Sequence, residues 1–216
     1  MGDDDVIREG ALKILKEISQ TYKPDVIISD RYLADIKMNI KGEEKSALES
    51  KISTYDFRNY SSMSYFDKTQ SPIGIFSFIS NLCIRTDSWK KSSNHYLLSK
   101  NIFPHAVKVM DILMNQQGKL LYLPASTVIT RLNDRLADEI GKEYENSEFV
   151  RWNVHFEGLI EIAEYYLKGN DEEFLRFIRP IRNILFNGRN DYIRMANESG
   201  HEVTAKNILR RIMLLE

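Results

Sequence analysis

At 216 residues and 25.2 kDa, with 43% hydrophobic residues, the chain is long enough to bury a sizeable core as one large domain or two small ones. A formal net charge of -1 and a pI of about 6.5 exclude binding to nucleic acid or acidic membranes through bulk charge, so any such contact has to be local. The single cysteine, Cys83, excludes an internal disulfide; no run reaches the roughly 18 apolar residues of a membrane span, and the opening MGDDDVIREG is acidic where a signal peptide is basic. These features describe a cytoplasmic protein that makes no membrane contact.

Residues 4–22 place Val6, Ile7, Leu12, Leu15 and Ile18 at helical spacing, and Pro24 ends that helix. Val26, Ile27 and Ile28 form a short apolar run of β character. With no matching strand close in sequence, it reads as a turn into a helix carrying Tyr32, Leu33, Ile36 and Ile40. After Gly42 a helical pattern resumes to about Ile52. Residues 53–71 lack helical period and mix serines with Tyr55, Phe57, Tyr60, Tyr65 and Phe66, the composition of a long loop and of a domain boundary. Ser71 and Pro72 form a helix start that opens a buried core helix to about Arg85. A short helix from His95 to Lys100 follows, and another begins at Phe103 and Pro104 and closes at Gly118. LLYLP is β-like but isolated, an extended connection. Further helices are expected from Ser126 to about Glu143, from Ser147 to Tyr166, from Asp171 to Asn187, and from about Glu202. The expected fold is all-α, an irregular helical bundle with a long aromatic-rich loop. It comprises an N-terminal helical segment (1–52), a loop or linker (53–71) and a helical bundle domain (72–216).

The stretch NDEEFLRFIRPIRNILFNGRNDY, residues 170–192, carries the strongest pattern. Phe174, Phe177, Ile178, Ile181, Ile184 and Leu185 share one helical face, and Arg176, Arg179, Asn183 and Asn187 the other, with Arg182 and Phe186 at the border. Acidic residues fill the first turn, Gly188 is the stop, and Pro180 predicts a kink. Residues 174–216 hold eight basic residues against four acidic ones, although Asp171, Glu172 and Glu173 lie just before them. Arg176, Arg179, Arg182, Arg189 and Arg194 are therefore candidate nucleic-acid contacts.

Arg182-Asn183-Ile184-Leu185-Phe186-Asn187-Gly188 resembles the Arg-Asn, three residues, His motif of HEPN ribonucleases, with Asn187 in place of the histidine. A carboxamide does not titrate, so that resemblance implies a site lacking its proton-transfer group. Leu175, Arg176, Ile178, Arg182, Asn183, Ile184 and Asn187, preceded by HFEGLIEIAEYYLKGNDEEF, also resemble the helical region of GmrSD-type restriction and phage-defence proteins, which carry a ParB-like N-terminal domain. That resemblance covers about a quarter of the chain, from about Val154 to Asp191. The chain shows neither the Asp-Gly-Gln-Arg motif of their nucleotide-hydrolysing domain nor a His-Asn-His nuclease string. The resemblance thus implies a non-catalytic helical module that binds DNA, RNA or a protein partner, with a HEPN-like ribonuclease and a purely structural adaptor as alternatives.

Two other patterns carry less. Pro24-Asp25 followed by Asp35-Ile36-Lys37 matches the PD-(D/E)xK nuclease spacing, but on a segment read as helical rather than as a hairpin. His95, His105, His155 and His201 have no metal-ligand spacing, and no glycine-rich phosphate loop or nucleophile elbow is present, so no cofactor is expected.

Overall fold

The structure is a computed structural model that describes residues 5–58, 64–92, 101–131 and 148–213. The chain divides into two compact units, Met1–Leu132 and Asn133–Glu216. Residues 53–71 lie inside the first.

The first unit overturns the all-α expectation, because it is built on a six-stranded mixed sheet curled into a half-barrel. Two long strands, β2 (Val26–Ala34) and β6 (Lys119–Arg131), run parallel at its centre. Each is flanked by two short antiparallel strands set end to end. On β2 these are β5 (Leu82–Ile84), opposite Val26 to Ile28, and β3 (Ile40–Glu44), opposite Arg31 to Ala34. On β6 they are β4 (Ser53–Asp56), opposite Lys119 to Tyr122, and β1 (Asp5–Ile7), opposite Val128 to Thr130. The curl has a local cause. Ser29 pairs with Leu123, Asp30 with Ser126 and Arg31 with Val128, so β6 carries extra residues at Pro124, Ala125 and Thr127. Proline has no N–H for the ladder, and such bulges bend and twist a strand.

Helix α1 (Ala11–Tyr22) covers one face of the sheet, burying Ile18 against Ile27, Leu121 and Leu123. Its end is the αL residue Lys23, just before Pro24. The first-unit segments read as helical are otherwise mostly short. Residues 5–7 are a strand. The supposed helix through Tyr32 and Ile40 is the β2–β3 hairpin. The predicted core helix from Pro72 to Arg85 is two 3-10 turns, Pro72–Ile75 and Ile79–Asn81, followed by β5. Ser71 and Pro72 do start a helical turn, but Phe76 in the left-handed region (φ 68°) stops it. Ser126 to Arg131, read as the opening of a helix, is the second half of β6.

The aromatic stretch within residues 53–71 contributes to the core rather than to a free loop. Besides β4 it forms α2 (Ser64–Lys68), where Tyr65 and Phe66 are fully buried; Tyr65 stacks on Phe76 and packs edge-on against Tyr55. After α3 (Thr86–Lys91), α4 (Pro104–Met110) starts at the expected proline and continues as a π turn over Asp111–Asn115. The segment expected as a helix over 95–100 lies outside the described residues, as does the continuation to Glu143.

In the second unit the helical reading holds. It contains α5 (Glu148–Tyr166), α6 (Asp171–Asn187), α7 (Arg189–Glu198) and α8 (Glu202–Met213). Phe156, Ile160, Phe177, Ile181, Tyr192 and Ile208 are among the residues buried between them. The Tyr192 hydroxyl donates to Asn153 Oδ1 at 3.0 Å, tying α7 to α5, and Arg211 bridges α8 to Glu164 of α5. In α6 the Asn170 side chain accepts from the Glu173 N–H as N-cap, and Gly188 terminates the helix. The helix runs unbroken through buried Pro180. Ile184, placed by periodicity on the apolar face, is exposed.

Candidate functional site

The five arginines singled out by sequence differ in their surroundings. Arg176 is held by the carboxylates of Glu172 and Glu173 one turn earlier on α6. Arg194 pairs with Asp191 at 2.9 Å and reaches Glu198 at 4.0 Å on α7. Both are thus largely neutralised within their own helix. Arg179 is half-buried; Arg189 is exposed at the first position of α7. The Arg182 guanidinium lies 5.3 Å from the centroid of the Phe186 ring, and that ring is 43% exposed. Asn183 and Asn187 are both exposed on the same side of the helix. The C-terminal half of α6 therefore presents an aromatic ring and two carboxamides to solvent, with the half-buried Arg182 guanidinium against that ring, although periodicity put Arg182 and Phe186 only at the border. An exposed carboxamide at 187 hydrogen-bonds but does not transfer protons.

The PD-(D/E)xK pattern dissolves on geometry. Asp35 and Lys37 do sit in the β2–β3 hairpin and not in a helix. However, Asp25 precedes β2 and Asp35 follows it, so about 30 Å of strand separates the carboxylates. Each is used locally. Asp25 accepts from the Lys119 N–H and the Ser88 hydroxyl. Asp35 accepts from Asn39 and from the Lys37 N–H, contacts that lower its pKa. Among the described residues, no group of three or more His, Cys, Asp and Glu side chains is placed to hold a metal, and no helix is long and apolar enough to cross a membrane.

A polar cluster that the sequence reading missed lies at the bulge between the central strands. Asp30, 2% exposed, accepts from the Ser46 N–H at 2.8 Å and faces the Tyr122 hydroxyl at 3.0 Å. Burial raises the pKa of both Asp30 and Tyr122. The Ser46 hydroxyl donates to the Ser29 carbonyl, as does Asn81 Nδ2 at 2.9 Å; the Ser29 and Thr127 hydroxyls are 2.6 Å apart. The sequence signal was a Ser-Asp pair closing an apolar run, but its buried partners, Ser46, Asn81 and the β6 residues Tyr122 and Thr127, come from three separate segments.

Asn81 and Thr127 also line a cavity of about 370 Å³ beneath the first half of α1, whose walls include Leu12, Leu15, Leu82 and Val128, with Cys83 beside them. Burial raises the pKa of the Cys83 thiol, which fits an inert thiol rather than a nucleophile. No family model and no curated protein matches this chain.

Proposed function

We propose that the chain is a non-catalytic recognition protein whose helical unit binds single-stranded nucleic acid along the solvent side of α6 and the start of α7. The observation that carries this reading is the exposed Phe186 ring with the Arg182 guanidinium against it, flanked by exposed Asn183, Asn187 and Arg189. Unpaired bases stack on exposed aromatic rings and guanidinium planes, carboxamides hydrogen-bond base edges, and arginine meets phosphate. A duplex hides its base faces and offers little to Phe186. Arg176 and Arg194, engaged by neighbouring carboxylates, contribute less than their charge implies. The resemblance of this segment to the helical region of GmrSD-type proteins supports a setting in phage defence or restriction.

The test is a fluorescence-anisotropy titration of labelled single-stranded RNA and DNA, with a duplex of the same sequence as comparison. Binding should favour the single strands, and Phe186→Ala should weaken it about tenfold, in line with the ~1–3 kcal/mol of one stacked base. Equal affinity of wild type and variant, or no binding to any strand, would overturn the proposal. A stable protein complex in place of nucleic-acid binding would favour the adaptor reading.

A further inference from the structure

We infer that the surface of α6 selects unpaired purines over pyrimidines, with Asn183 and Asn187 as the residues that discriminate; the inference rests on the nucleic-acid reading proposed above. Both asparagines are exposed, and among the described residues neither carboxamide has a hydrogen-bond partner. They stand one helical turn apart, so their Cβ atoms are about 5–6 Å from each other. Helical spacing sets them in a row beside the one formed by Arg182 and Phe186. A base stacked on the 43% exposed Phe186 ring thus has two uncommitted carboxamides within reach of its rim.

A carboxamide carries an acceptor oxygen beside a donor N–H, and it grips a base edge that shows the complementary pair. Adenine shows that pair twice, as its amino group with N1 on one edge and with N7 on the other. Guanine also shows it twice, as O6 with the N1 proton and as N3 with the 2-amino group. Each asparagine therefore has its own edge of one purine. Cytosine shows the pair once, as N3 with its amino group. Thymine and uracil have a single N–H, which serves one carboxamide at a time. A pyrimidine consequently leaves one of the two asparagines to water. The discrimination comes from the two residues acting together, since a single carboxamide finds a matching edge on every base.

Short labelled oligodeoxyadenylate, its 7-deazaadenine analogue and oligothymidylate, titrated against the whole protein, are the probes. Oligodeoxyadenylate should bind about tenfold tighter than oligothymidylate, the value of one additional two-bond contact to a base. Stacking on Phe186 alone also favours the larger purine, and the 7-deaza analogue separates the two causes. It keeps the ring system but lacks the N7 acceptor, and should bind about fivefold more weakly than the parent. Replacing both exposed asparagines, Asn183→Ala with Asn187→Ala, should leave the circular dichroism unchanged and abolish the difference between adenine and 7-deazaadenine. Equal affinity for the adenine and thymine oligomers, no penalty for the 7-deaza analogue, or a penalty that survives the double replacement would each overturn the inference. Those results leave single-strand binding itself intact if Phe186→Ala still weakens it. No binding of any oligomer would overturn both the inference and the reading beneath it.

Discussion

Asp30 is a carboxylate in the middle of a sheet, 2% exposed, satisfied by the Ser46 N–H and facing the Tyr122 hydroxyl. Burial outweighs these hydrogen bonds and raises its pKa above 3.8. The folded state thus binds this proton more tightly than the unfolded chain. The resulting stabilisation is full below pH 3.8 and is lost as pH rises through the folded value. Asp30→Asn retains an oxygen for Ser46 and does not ionise. Urea midpoints taken from pH 3.5 to pH 8 should therefore show the variant gaining on wild type as pH rises. A difference that stays constant across the range would contradict this account of Asp30. The Asp30 cluster was hidden in the sequence for a physical reason: a buried polar group is recognised by its partners, and Ser46, Asn81, Tyr122 and Thr127 converge only through strand pairing. The exposed surface of α6 was more legible, since its face is set by helical period within one element.

At the scale of elements, local signals were read well and non-local ones poorly. The acidic first turn, amphipathic face and glycine stop of α6 are all encoded within one stretch, as is the proline start of α4. The strands were misread because each was judged alone. Val26, Ile27 and Ile28 lacked a nearby partner, and so did LLYLP, yet Val26 to Ser29 pairs with Leu120 to Leu123. Parallel strands require a long crossover, so their pairing leaves no mark in a local window, and strands buried on both faces lose the alternation that would reveal them. The 3-10 turn at Pro72–Ile75 shows how closely such elements pack on that sheet. A Cβ at Gly74 would lie 2.1 Å from the Ser46 carbonyl oxygen and 3.0 Å from Thr69 Cγ2. Gly74→Ala must push this turn away from the segment that supports Asp30. It should cost about 3 kcal/mol, measured as a lowered urea midpoint, at the upper end of overpacking effects. A near-wild-type midpoint would show that the turn moves freely.

For the molecule as a whole, two compact units and a net charge of -1 mean that recognition has to come from local surfaces. In the helical unit half of the eight basic residues of 174–216 are matched by carboxylates: Arg176 by Glu172 and Glu173, Arg194 by Asp191, Lys206 by Glu202, and Arg211 by Glu164. Counting charge along the sequence therefore overstates what phosphate would meet. The central claim concerns the surface around Phe186, and the salt dependence of single-strand binding tests it most directly. Each phosphate contact contributes about -0.7 to the slope of log K against log salt. Replacing Arg182 and Arg189 together with glutamine should make the slope shallower by about 1.4, whereas Arg176→Gln should change it little. A slope unchanged by the double replacement, or one that responds to Arg176 instead, would contradict the account.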